Sequence, residues 1–234
     1  HIVLPELDGR LITQPISFKG MAWRSERSQS DVVCYQANLP GMDFVAQLAR
    51  HWIVLAHKAN ADKRVALILA NYPTRDGRIG NGVGLDTPAA ALNILRSLQQ
   101  QGYPLEGLPE TGTALIHQLL GGVTNDLDSR DARPCAQSLA LDDYLAFFHS
   151  LPVANQQAVI ERWGEPQSDP MFRSGRLMIA GLRFGLTFVG IQPARGYQLD
   201  AAAVYHDPDL VPPHGYLAFY CWLRTAFAAD ALIH

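Results

Sequence analysis

Apolar residues recur in two distinct rhythms along the chain. Phe44, Leu48, Trp52 and Leu55 fall at helical spacing, which predicts a helix from about Asp43 to Lys58. Val65-Ala66-Leu67-Ile68-Leu69-Ala70 is instead an unbroken apolar run of strand length, as expected of a strand buried on both faces. A long glycine-rich loop follows, from Asn71 to Asp86. A helix start comes next, with Thr87 as N-cap, Pro88 in the first turn and Ala91, Ile94, Leu95 and Leu98 on one face, ending at Gly102. This strand, loop and helix form half of a βαβ unit.

Thr113 to Trp163 reads as a broken helical stretch. One short helix carries Leu115 and Leu119 and closes on Gly121-Gly122; a second runs from Asp142 to His149, and a third from Val153 to Trp163. Strand patterns return at Leu177–Ala180 and Leu186–Ile191, followed by a helix from about His214 to Ala228 and a strand at Ala231–Ile233. Ile2-Val3-Leu4 is a further strand candidate, stopped by Pro5. The expected fold is α/β, an open, mostly parallel Rossmann-like sheet with flanking helices and a helical insertion. Its expected divisions are 1–62 (strand, loop and helix), 63–111 (strand, glycine loop and helix), 112–176 (helical insertion) and 177–234 (return to the α/β domain).

Composition narrows the class. The 234 residues are 48% hydrophobic and 18% charged, with a formal net charge of -3, too apolar for disorder. With no basic excess, nucleic acid is not expected as a partner. The longest apolar stretches, such as Leu217 to Leu223, fall short of a membrane span, and no signal peptide is evident. Cys34, Cys135 and Cys221 are widely spaced and odd in number, which points to reduced, mostly buried thiols in a cytoplasmic protein. The chain opens on His1 without Met and both ends are apolar, so it is expected to be a segment of a longer polypeptide. Of its 19 basic residues only Lys19, Lys58 and Lys63 are lysines. Codon bias in a GC-rich genome explains this better than a ligand with several carboxylates, which guanidinium forks suit; composition alone does not decide.

Three loops carry candidate chemistry. The glycine loop sits beyond a buried strand, where open α/β sheets bind ligands, and bears Arg75, Asp76 and Arg78 beside Gly80, Gly82 and Gly84. Neither G-x-G-x-x-G nor G-K-[ST] is present, so no nucleotide fingerprint is supported. A structural loop and a ligand loop are nearly balanced here; the arginines and the unusual length favour the ligand. Gly190 to Tyr197, with Arg195, lies at a second strand end. The third loop, Tyr205 to Tyr216, holds His206, Asp207 and His214. These fit proton transfer or a divalent metal by residue type, but match no standard ligand spacing, and capping or packing explains them better from spacing alone. Glu6 and Asp8 flank a turn and carry little signal by themselves.

Long stretches of these loops resemble one family. Leu4-Pro5-Glu6-Leu7-Asp8-Gly9, Ala70 to Pro88, Trp163-Gly164-Glu165-Pro166 with Asp169-Pro170, Gly190 to Tyr197 and Tyr205 to Tyr216 resemble, in this order, the cobaltochelatase large-subunit family, and the related magnesium chelatase large subunit shares the Leu4–Gly9 motif and the His214-Gly215 pair. The glycine loop and Ala194-Arg195-Gly196-Tyr197 resemble the cobalt branch more than the magnesium branch. The resemblance implies ATP-dependent insertion of cobalt(II) into hydrogenobyrinic acid a,c-diamide during aerobic cobalamin biosynthesis. It implies that ATP and Mg are used by partner subunits, an AAA+ ATPase and its companion, and not bound by this segment. It gives Arg75, Arg78 and Arg195 a purpose, since the corrinoid carries several carboxylates, and extends the substrate-binding set to Asn81 and Gln192. Glu6 is assigned as base or metal-delivery group, His214 as ligand or proton relay, and His206 as a metal ligand. In the family the chain would continue beyond His234. Magnesium insertion into a porphyrin, and a structural domain that docks the ATPase, are the alternatives.

Overall fold

A computed structural model describes residues 7–71, 76–82, 84–129, 131–197 and 209–234. The Ile2–Leu4 strand candidate lies outside the described residues. The chain divides into two compact units, His1–Lys58 and Ala59–His234.

In the first unit, β1 (Ser17–Ser25) and β2 (Ser30–Ala37) form an antiparallel hairpin with a bulge between Met21 and Trp23. The sequence gives no clean strand signal here, because apolar residues fall on both hairpin faces instead of alternating. A long helix follows, α1 (Leu39–His57), opening at Pro40 and beginning some four residues before its apolar periodicity becomes visible.

The second unit is built on a four-stranded sheet ordered β7-β8-β3-β9: β3 (Val65–Leu69), β7 (Gly181–Phe184), β8 (Thr187–Ile191) and β9 (Ala231–Ile233). β3 runs parallel to both β8 and β9, while β7 pairs antiparallel with β8. All five residues of β3 are buried, the outcome anticipated from its unbroken apolar run, and all five of β8 are buried as well. Alternate β3 side chains serve opposite layers. Ala66 and Ile68 join Phe188, Phe219 and Trp222 in one core, and Leu67 and Leu69 join Leu95, Leu115 and Ile191 in the other. The first layer contains α6 (His214–Arg224) and the second α2 (Thr87–Gln100) and α3 (Gly112–Leu120), so helices cover both sheet faces.

The fold is therefore mixed α/β with a partly parallel sheet. The four strands do not by themselves make a Rossmann topology, and the antiparallel β7 departs from the expected pattern. Its hairpin with β8 closes through Gly185-Leu186, and Gly185 has φ +63, where a side chain would be strained. Glycines at both ends and Arg183 between them mask this strand in the apolar pattern.

A second departure lies in the stretch expected to be helical. α4 (Leu141–Phe148) and α5 (Val153–Trp163) are present, but β4 (Gln137–Ala140) precedes them. It pairs antiparallel with β6 (Arg176–Ile179), which also pairs with β5 (Phe172–Arg173). The run at Leu177 thus belongs to a small separate sheet, and the chain returns to the four-stranded sheet at Gly181. Length and apolarity identify a strand without naming its neighbours. The α2 cap also shifts by one residue: Asp86, not Thr87, accepts the Ala89 N–H at 3.0 Å.

Candidate functional site

Two candidate loops leave neighbouring parallel strands. Leu69 pairs with Ile191, so the glycine loop after β3 and the loop after β8 start side by side at the strands' carboxyl ends. The Gln192 N–H donates to the Leu69 carbonyl at 2.9 Å, and the Gly80 N–H to the Ala70 carbonyl at 2.7 Å, so each loop is stitched to the β3 end. Arg78 and Asn81 are exposed; Gln192 and Arg195 are half-buried. Arg75 lies outside the described residues, as do Glu6 and His206. Strand and helix ends of an open α/β sheet gather along one edge, which would bring Glu6, Arg195 and His214 to one cleft; that expectation falls partly outside the described residues as well.

A segment that the sequence did not single out holds both loops. Thr124, fully buried, donates to Asp76 Oδ1 at 2.6 Å, and Arg133 donates to Asp76 Oδ2 at 2.7 Å and to Thr124 Oγ1 at 3.0 Å. Asp76 stands in a 3-10 turn of the glycine loop, Asp76–Arg78, so the clamp sits two residues from Arg78. The next residue, Asn125, grips the other loop. Its amide donates to the Gln192 carbonyl at 2.8 Å, and its Oδ1 accepts the Ala194 N–H at 3.2 Å. Asp126 completes the turn, accepting from Ser129 Oγ at 2.5 Å; that bond holds its carboxyl below the usual carboxylate range. Polar residues after Gly121-Gly122 look like an ordinary loop in sequence, and nothing local marks their long-range partners.

Beneath the loop after β8, four separated motifs meet. His214, wholly buried, opens α6. Its Nε2–H donates to the Gly164 carbonyl at 2.9 Å, and its Nδ1 accepts from the Tyr144 hydroxyl at 2.6 Å. This tautomer follows from the partners, since a carbonyl can only accept. Burial pushes the Tyr144 phenol far upward, which keeps it a donor. Trp163 Nε1–H donates to the Val211 carbonyl at 2.7 Å. Asp169 is buried and accepts three bonds: from the Met171 N–H at 2.8 Å, the Tyr197 hydroxyl at 3.1 Å and the Gly215 N–H at 2.9 Å. Burial is the largest influence on its carboxyl and raises its pKa; the three donors oppose the shift.

Both His214 nitrogens are therefore engaged, and binding a metal or relaying a proton would require breaking one of these bonds. In this geometry His214 braces the site from below. Among the described residues, no three His, Cys, Asp or Glu side chains converge to hold a metal ion. A cavity of about 10 Å³, room for roughly one water, lies among Asn125, Met171, Tyr197 and Gly215. A hollow of about 290 Å³ opens elsewhere, among Gln118, Gly122, Pro134, Cys135 and Leu182. None of the sequence-predicted site residues lines it. No helix among the described residues is long and apolar enough to cross a membrane.

The CobN/Magnesium Chelatase family model matches residues 1–234. The chain belongs to this family. It is 78% identical over its whole length to the aerobic cobaltochelatase subunit CobN of Pseudomonas aeruginosa, of which it covers 19%. It is 28% identical to the chloroplastic magnesium-chelatase subunit ChlH of Oryza sativa subsp. indica, covering 16% of that protein. The solved catalytic subunit of cobaltochelatase from Mycobacterium tuberculosis matches with a TM-score of 0.80 and 37% identity, over all of this chain and 19% of that one. The chain thus spans about a fifth of the length of the family members it matches.

Proposed function

We propose that this chain is the part of a cobaltochelatase large subunit that grips the periphery of the tetrapyrrole. The reaction is ATP-dependent insertion of cobalt(II) into hydrogenobyrinic acid a,c-diamide, in the aerobic route to cobalamin and in the cytoplasm. One observation carries this reading: two loops bearing Arg78, Asn81, Gln192 and Arg195 leave adjacent parallel strands and are tied into one frame by Thr124 and Asn125. Cationic forks on a rigid frame suit a planar ligand edged with carboxylates and amides. Arg75, Arg78 and Arg195 pair with the carboxylates, and Asn81 and Gln192 with the amides. Identity of 78% to a cobaltochelatase subunit against 28% to a magnesium-chelatase subunit supports cobalt and the corrinoid over magnesium and a porphyrin.

Insertion requires removal of the ring N–H protons and stripping of water from the cation. Glu6 is the base or delivery group and His206 a ligand of the incoming cobalt(II). His214, with both nitrogens engaged, acts as a positioning residue. ATP and Mg are handled by an AAA+ ATPase partner and its companion subunit, in keeping with the lack of a G-K-[ST] motif. The test is cobalt insertion by the reconstituted complex with Glu6→Gln and, separately, Arg78→Gln/Arg195→Gln in the full-length subunit. The first variant should lose turnover with corrinoid affinity kept, and the second should lose affinity. Full activity in both would overturn the assignment.

A further inference from the structure

The first unit has almost no interior. Of residues 7–58, Gly41 alone is buried. The hairpin register directs Phe18, Trp23 and Cys34 to one face and Met21, Val33 and Tyr35 to the other. Neither face is covered within this unit, where Phe18 is 56%, Trp23 60%, Val33 55% and Tyr35 71% exposed. On α1, Leu39, Met42, Phe44, Trp52, Ile53 and Val54 are exposed, and these positions fall on every side of the helix. A helix apolar all round is a buried helix, and a lone two-stranded hairpin is marginal in water. Such a surface must be covered.

We propose that it is covered in cis, by residues of the full-length polypeptide outside positions 1–234. Three observations select this occupant. The P. aeruginosa relative carries about four-fifths of its length outside the matched part, so ample chain is at hand. Ionised side chains are sparse on the helix, where Asp43 and Arg50 are the only Asp, Glu, Lys or Arg; that is the make-up of a permanent interface and not of a transient one. Lastly, a unit without a core cannot hold its shape while waiting for a separate subunit, so its cover has to be present when the chain folds. The inference rests on family membership and is independent of the metal or the tetrapyrrole.

The test places a photo-crosslinking benzoylphenylalanine at position 23 or 52 of the full-length subunit, purified without other subunits. Irradiation should give adducts within one chain, joining each position to peptides outside 1–234. Adducts between two copies, adducts only after partner subunits are added, adducts confined to residues 1–234, or none at all would each overturn the proposal. The unsubstituted subunit supplies a second reading through Cys34, which is exposed in this chain. Its maleimide labelling should be at least ~10-fold slower in the native subunit than in denaturant, the ratio for a site whose exposure costs about 1.4 kcal/mol or more. Equal rates would count against the cover.

Discussion

Asn125 and Gln192, 67 positions apart, are joined by a 2.8 Å hydrogen bond from the Asn125 amide to the Gln192 carbonyl. The same side chain accepts from Ala194 N–H, so one buried asparagine sets the path of the loop leading to Arg195. Truncation to Ala leaves a buried carbonyl and N–H without this partner, at a cost of about 1–3 kcal/mol. Asn125→Ala should therefore lower the denaturation midpoint and weaken corrinoid binding by the full-length subunit. Asn125→Asp can replace only the accepting half, so it should not restore binding. Titration and urea melts of both variants check this.

The glycine loop has its own anchor. Asp76 and Arg133 form a 2.7 Å ion pair with both side chains mostly shielded from water, and Thr124 donates to the same carboxylate. Thr124→Val removes that donor and leaves the Arg133 and Asp126 N–H groups without their acceptor at Thr124 Oγ1. A loss of about 1–3 kcal/mol is expected, with weakened binding through Arg78. Thr124→Ser keeps the hydroxyl and should retain most of both. Binding unchanged in the Val variant would separate the glycine loop from the site.

Gly215 is a steric requirement. A Cβ there would lie 2.5 Å from Tyr197 Oη, 2.9 Å from Met171 Cγ and 3.0 Å from Asp169 Oδ1. Gly215→Ala should destabilise the second unit by about 1–3 kcal/mol, since the closely packed carboxylate and phenol must move. A thermal melt of the full-length variant reads this directly, and an unchanged midpoint would contradict the packing.

Asp169 gives a pH signature. Its carboxyl is raised by burial in the folded state, so between the usual carboxylate value and the raised one the folded state holds more protons than the unfolded state. Its contribution to stability is then greatest at low pH and declines as pH rises through that window. Urea denaturation across the acid range should show this falling component. Asp169→Asn should remove it, while costing stability at every pH because an amide keeps only one accepting oxygen and cannot serve both the Met171 and Tyr197 donors and the Gly215 N–H.

Much of the scaffold is legible along the chain. The buried β3 run, the proline-opened α2 and the glycine stops of α3 and α5 depend on local periodicity and on positive-φ or capping positions, which sequence displays. Strand partners are another matter. Leu177 and Leu67 look alike as apolar strand residues, yet one lies in the small antiparallel sheet and the other in the partly parallel one. The site divides in the same way. The loops were visible by their arginines and glycines, but Thr124 and Asn125 act through bonds spanning 48 and 67 positions, and no local pattern encodes those distances. His214 was conspicuous for its chemistry, and only its two partners show that it is a brace.

The most direct measurement is equilibrium titration of the full-length subunit, without its partners, with hydrogenobyrinic acid a,c-diamide and in parallel with protoporphyrin. The expected result is saturable binding of the corrinoid in preference to the porphyrin, weakened at least ~10-fold, about 1.4 kcal/mol, by Arg78→Gln/Arg195→Gln. Preference for protoporphyrin, or corrinoid binding that ignores both arginines, would contradict the assignment of these two loops to the corrinoid.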